Sequence, residues 1–260
     1  MPTALITGAS KGIGAVYAQV LAEKGYSLVL TARSYDHMQT IVAQLGQTYG
    51  VPIRFFSEDL SQPGAAQRIY DQVQSWGLSI DLLINNAGFG DYGEFAQRGR
   101  SKLTAMIQVN ILALMELTHL FLPQMQQRGQ GSIINLSSIG GFQAVPYLAV
   151  YGATKAFVLQ FSEALWAENR QKGVTVMAVC PGPTTTDFFH AAEMKRNPDL
   201  MTSQDHPEIV VRESLAALEQ KRSCVITGQL SNRLIALAGR FAPREWLVAQ
   251  LEPRFRPPAE

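Results

Sequence analysis

The chain has 260 residues, a length that suits one α/β domain with a full core and needs no disulfide or metal staple. Hydrophobic residues make up 47% and charged residues 17%, which excludes an intrinsically disordered chain. A formal net charge of +1 leaves no global electrostatic case for nucleic acid as a partner.

Short apolar runs alternate with longer amphipathic ones. Ala4 to Thr7 predicts a strand, and no basic segment precedes it, so the start does not read as a signal peptide. Gly12 to Lys24 predicts a helix, Ser27 to Thr31 a strand and Ser34 to Tyr49 a helix. Ile53 to Phe56 and Leu82 to Asn85 predict strands around a helix at Gln62 to Trp76. A long helical pattern follows from about Lys102 to Gln127. Its most apolar part, Ile107 to Leu122, is interrupted by Gln108, Asn110, Glu116 and His119 and reads as too short and too polar to span a bilayer. Ser132 to Leu136 is a strand, about Val150 to Gln171 a helix, and Val174 to Val179 and Cys224 to Thr227 complete seven strands. This alternation predicts βαβ units: a single doubly wound Rossmann-type α/β domain over 1–260, with a seven-stranded, mostly parallel sheet covered by helices on both faces. The stretch from Pro181 to about Gln204 carries no strand signal; a substrate loop is expected over about 183–205.

Between the first strand and helix lies Thr7-Gly8-Ala9-Ser10-Lys11-Gly12-Ile13-Gly14. Glycines serve where backbone turns sharply or must approach a ligand, and a helix start directs free N–H groups and a positive dipole end at a pyrophosphate. Taken alone the segment could equally be a plain tight turn, and without a Gly-Lys-Ser/Thr ending it is no triphosphate loop. At the end of the second strand, where NAD sites often carry an acid, the sequence has Arg33. With Lys11 it offers two cations for a 2′-phosphate, which points to NADP; the alternative is two solvated surface cations.

Tyr151 and Lys155 are four residues apart on a predicted helix, so they share a face. A phenol titrates near pH ~10, and a nearby ammonium would lower that value and make the tyrosine a usable proton donor. Ser138 follows a strand and could bind a substrate oxygen; Ser137 and Ser138 could equally cap a turn. Asn110 sits in mid-helix, where asparagine is unfavourable, unless it is simply exposed.

These motifs, in this order, resemble the short-chain dehydrogenase/reductase family over about residues 1–230. The matching elements are the glycine turn, Asp59, Asn85-Asn86-Ala87-Gly88, Asn110, Ser138, Tyr151-x-x-x-Lys155 and Pro181-Gly182, with no departure at a catalytic position. The resemblance implies Tyr151 as general acid or base. It implies that Lys155 holds the nicotinamide ribose and depresses the tyrosine pKa, that Ser138 orients the carbonyl, and that Asn110 holds a proton-relaying water. It further implies a cofactor site of Gly8, Ser10, Lys11, Gly12, Ile13, Gly14, Arg33, Asp59, Leu60, Asn86, Ala87, Gly88, Tyr151, Lys155, Pro181, Gly182, Thr184 and Thr186, with NADPH preferred over NADH. Asp59 and Leu60 would meet the adenine and Asn86 to Gly88 the adenosine ribose.

Phe89, Tyr92, Tyr147, Phe188 and Phe189 suggest an apolar pocket for a hydrophobic carbonyl compound, although any one of them could be ordinary packing. The four histidines show no metal-ligand spacing, so no metal is expected. Cys180 and Cys224 form no C-x-x-C pair, so no redox or zinc motif is visible, and two cysteines fit a reducing compartment. The extension over about 231–260 is basic and amphipathic; it could touch a membrane surface, but packing on the domain or a subunit is the simpler expectation. The family pairs through its two long helices, which implies a homodimer or homotetramer. The resulting expectation is a cytoplasmic NADPH-dependent reductase of a hydrophobic ketone or aldehyde. Its alternatives are an alcohol (steroid, sugar or acyl) dehydrogenase and a non-catalytic NADP sensor.

Overall fold

The computed structural model describes residues 1–194 and 204–257. Seven strands form one sheet: β1 (Thr3–Thr7), β2 (Ser27–Ala32), β3 (Ile53–Ser57), β4 (Leu82–Asn85), β5 (Gly131–Leu136), β6 (Val174–Pro181) and β7 (Cys224–Thr227). The spatial order is β3-β2-β1-β4-β5-β6-β7 and every neighbouring pair is parallel. The order reverses between β1 and β4, so a crevice opens outside their carboxyl ends, the usual ligand position in such sheets.

Alternation along the strands feeds two cores. Ala4 and Ile6 of β1 join Leu28, Leu30 and Ile84 beneath α1 (Gly12–Glu23) and α2 (Tyr35–Tyr49). Leu5, Val29, Leu83 and Ile133 face α3 (Ala65–Ser75) and the helix of 100–128 on the other side. That helix comprises α4 (Arg100–Ile107), a π turn (Gln108–Ala113) and α5 (Leu114–Arg128). It is 29 residues long with a mean hydropathy of 1.6 in its most apolar window, enough on length and composition to cross a membrane. This corrects the expectation from the interrupted segment, since the flanking turns extend the apolar stretch. Leu114, Leu117, Phe121 and Met125 are nevertheless buried within this domain.

The remaining helices are α6 (Ala149–Asn169), α7 (Phe188–Ala191), α8 (Pro207–Glu219), α9 (Leu230–Phe241) and α10 (Arg244–Phe255). α8 was not among the expected elements, although Pro207 at its first turn and the spacing of Val210, Val211, Ser214 and Leu215 mark an amphipathic helix. It packs on α1, where Tyr17 and Ser214 share a buried 2.5 Å hydrogen bond. The expected loop over about 183–205 contains α7, and its part at 195–203 lies outside the described residues, as do 258–260 of the tail. α9 buries Asn232 and Ala236 and exposes Leu230, Leu234, Leu237 and Phe241 on its opposite side.

Candidate active site

The glycine turn caps β1 at the crevice. Gly8 (φ +65°) and Gly12 (φ +57°) adopt backbone that L side chains avoid. Gly14 has no room for a side chain: a Cβ there would overlap the Gly8 carbonyl and lie 2.5 Å from Asn86 Nδ2. Asn86 Nδ2 donates to the Thr7 and Gly8 carbonyls at 2.9 and 3.1 Å. The backbone N–H groups of Asn86 and Ala87 both donate to Thr7 Oγ1 at 3.1 Å. The Asn86 side chain thus braces the turn. Ile13 is half-buried and packs on the core. The start of α1 has no acidic residue and no side-chain cap, leaving N–H groups for an anion.

The two candidate phosphate cations differ. Arg33 is exposed just past β2. Lys11 Nζ lies 2.9 Å from Asp187 Oδ2 in an exposed ion pair, so it already has a carboxylate partner. Asp59 Oδ1 accepts from the Ser61 N–H at 3.0 Å and from Ser61 Oγ at 2.8 Å, closing a turn. Burial pushes the Asp59 pKa up, but the Ser61 bonds and the charge of Arg33 outweigh it and leave it lowered. Leu60 is buried in the core beneath.

Ser138, Tyr151, Lys155 and Asn110 converge beside β5. Lys155 is 5% exposed, and its Nζ donates to the Leu136 carbonyl at 2.7 Å and lies 5.7 Å from the Tyr151 ring centre. Burial brings the Lys155 pKa down to about 8. Burial raises the Tyr151 pKa to about 12, against the pull of a hydrogen bond with the Ser138 side chain. In the free protein desolvation disfavours the phenolate and outweighs the other contributions. Ser138 Oγ also accepts from the Gly140 N–H at 3.1 Å, so capping and site roles coexist.

Asn110 lies in the π turn, a distortion often found at functional sites. Its Oδ1 accepts from the Phe89 N–H at 3.1 Å, and its Nδ2 donates to the Phe89 carbonyl at 3.0 Å and to Thr154 Oγ1 at 3.1 Å. The amide holds the backbone strap after β4, and a Cβ on Gly88 would stand 3.1 Å from Asn110 Oδ1 and 3.4 Å from Lys155 Nζ. Thr154 and Asn135 escaped notice in the sequence, and Ser137 was read there only as a possible turn cap. Thr154 donates to the Tyr151 carbonyl at 2.7 Å, and Ser137 donates to the Lys155 carbonyl at 2.7 Å. Asn135 joins Asn85 to Ser162 through buried bonds of 2.9 and 3.0 Å. Buried asparagines within apolar strands were the signal for the last.

Beyond β6, Pro181 is buried and Gly182 packs against Asn232. Thr184 is bridged to Asp205, and its Oγ1 donates to the Gly182 carbonyl at 3.0 Å. Thr186 Oγ1 accepts from the Phe188 N–H at 3.3 Å and its methyl faces Gly12. The Phe188 ring lies 5.1 Å from that of Tyr151. Tyr92, Val145, Leu148, Phe189, Ala192 and Met194 form a cluster around them, joined by Tyr147 and by Phe255 of α10. Phe89 falls on the opposite side, packed against the α3 and α5 core. Tyr147 has a left-handed backbone (φ +60°), unusual for a bulky residue. Its carbonyl accepts from the Gly93 N–H at 2.9 Å and its hydroxyl donates to Glu252 at 2.5 Å. Tyr92 donates to the Phe255 carbonyl at 2.8 Å, so both tyrosines tie α10 across the cleft.

The profile of the short chain dehydrogenase family matches residues 2–197. A very-long-chain 3-oxoacyl-CoA reductase-A of Danio rerio is 37% identical over 197 residues, 74% of this chain. The chain spans only 59% of that protein's length. Among solved structures, a Sphingobium yanoikuyae short-chain dehydrogenase in complex with NADPH is 32% identical with a TM-score of 0.83, covering 96% of both chains. A bulky-bulky ketone specific alcohol dehydrogenase from Comamonas testosteroni is 32% identical with a TM-score of 0.79, covering 96% of this chain and 94% of that one.

Proposed function

The chain belongs to the short-chain dehydrogenase/reductase family of nicotinamide-dependent oxidoreductases, and from this premise we propose that it reduces a bulky hydrophobic ketone or aldehyde with NADPH. The observation that carries the reading is the convergence of Ser138, Tyr151 and Lys155 beside a cluster of apolar side chains. When bound, the nicotinamide supplies a hydride to the carbonyl carbon. Gly8 and Gly12 give the turn its left-handed backbone, Gly14 lets it pack closely, and the start of α1 carries no side-chain cap, so these residues fit a pyrophosphate. Ser10 and the N–H groups at the start of α1 would hold it there, with Ala87, Gly88 and the Pro181–Thr186 segment along its length. Lys11 and Arg33 would meet the 2′-phosphate, Lys11 by exchanging Asp187 for it.

Tyr151 then donates its proton to the developing alkoxide while Ser138 holds the same oxygen. A phenol that stays neutral is a proton donor, as the reductive step requires. Lys155 orients the cofactor ribose and Asn110 keeps the strap at Gly88 in register. Phe188, Phe189 and Tyr92 supply the apolar wall; Tyr147 acts by holding α10. The names of the fish and Comamonas proteins, both directed at large carbonyl compounds, support this substrate class. We further propose a cytoplasmic homo-oligomer joined through α4, α5 and α6, whose outer faces expose Ile107, Leu112 and Phe157.

The test is oxidation of NADPH, and separately NADH, against aromatic ketones, steroids and acyl ketones, with wild type beside Tyr151→Phe. Turnover with NADPH that vanishes in the variant is expected. Tight NADPH binding with no turnover across the panel would move the reading to a non-catalytic sensor.

A further inference from the structure

Cys180 and Cys224 are 44 positions apart in the sequence. The parallel register of β6 and β7 sets Ala178 opposite Cys224 and Cys180 opposite Ile226. Residues two apart on a strand share a face, so both thiols emerge on the same side of the sheet as diagonal neighbours. Their Sγ atoms are 3.8 Å apart, and both cysteines are in the thiol form. An ordinary disulfide has an S–S distance of about 2.05 Å, so closure asks the two sulfurs to approach by about 1.8 Å, and diagonal Cα atoms, about 7–8 Å apart in a sheet, to draw together at the open edge of β7.

The surroundings give the thiols unequal roles. Cys180 is fully buried beside Leu159 and Ala178, and Cys224 is half-buried on the last strand of the sheet, with Phe142 and Ile226 packed around it. Burial pushes the Cys180 thiol pKa well up, so it stays protonated. An oxidant from solvent therefore meets Cys224 first, and Cys180 waits behind it.

We propose that Cys180 and Cys224 form an oxidative modification site that a hydroperoxide closes to an intramolecular disulfide. The Cys224 thiolate attacks the peroxide O–O bond; an S–O bond forms, the O–O bond breaks, and hydroxide or alkoxide leaves. Cys180 sulfur then attacks the Cys224 sulfenic sulfur. The S–S bond forms, the S–O bond breaks, and the departing hydroxide takes the Cys180 proton as water. Two thiols lose two electrons and the peroxide gains them. The site does not depend on the proposed substrate or on dinucleotide binding. It does back onto the catalytic region, because Ser137, which holds the Lys155 carbonyl, also hydrogen-bonds the Cys180 sulfur.

The reduced protein is treated with hydrogen peroxide, unfolded in the presence of a maleimide, and mapped by mass spectrometry without reductant. The expected product is a monomer lighter by two hydrogen atoms, with the Cys180 and Cys224 peptides joined and no maleimide on either. Dithiothreitol should restore both thiols. In Cys224→Ser, Cys180 should remain open to the maleimide after the same treatment. Sulfinic acid at Cys224 with Cys180 still alkylated would overturn the proposal, as would disulfides found only between chains. The wild-type peptide map decides by itself if the variant does not fold.

Discussion

Burial acts in opposite senses on the two ionisable groups of the cleft. It disfavours the phenolate of Tyr151 and the ammonium of Lys155, taking the first to about 12 and the second to about 8. In the free protein Tyr151 thus stays a phenol across the neutral range, and Lys155 loses its proton as pH rises through about 8. The pH profile of kcat/KM for reduction, which reports the free enzyme, should fall above pH 8. Lys155→Arg should carry that limb to higher pH, because a guanidinium keeps its charge. A limb unchanged in the variant would assign it to another group. Gly14 makes a steric prediction. Gly14→Ala puts a Cβ into the Gly8 carbonyl and the Asn86 amide. Overpacking of this kind costs about 1–3 kcal/mol, read from the denaturant midpoint, and titration should show weakened NADPH binding.

Among the elements, the 100–128 helix and α10 matter most to the cleft. The π turn lets one helix carry Asn110 into the site while Leu117, Phe121 and Met125 stay in the core. α10 is fastened by two tyrosines that come from different loops and by a Glu252–Arg256 ion pair on its own surface. Releasing it should alter the substrate side alone. Tyr92→Phe with Tyr147→Phe is expected to change KM for a bulky ketone several-fold and leave KM for NADPH unchanged. Equal changes in both constants would mean that α10 supports the cofactor segments as well.

At the scale of the whole molecule, the apolar faces left outside the fold call for a partner. Phe157 and Phe161 stack at 5.5 Å on α6, Phe157 remains 37% exposed, and Ile107 and Leu112 are exposed on the chain's other long helix system. Such residues scattered singly would be unremarkable, but on two long helices they form the surface through which we propose that the chain self-associates. Sedimentation should find a dimer or tetramer for the wild type. Phe157→Glu should shift it towards the monomer, because a carboxylate buried at that contact would lack a partner.

The order of strands and helices, the glycine turn and the Tyr151/Lys155 spacing were all readable from the chain, because hydrophobic period and local backbone demands are written in neighbouring residues. So was the family, since its motifs recur at fixed spacing. Tertiary structure alone decided the rest. It set Asn86 and Asn110 against backbone groups, buried Tyr151 so that its pKa rises, turned Tyr147 towards Glu252 and paired Lys11 with Asp187. It also brought together two cysteines that showed no motif. Each of these outcomes depends on burial or on contacts between distant segments, which no local pattern encodes.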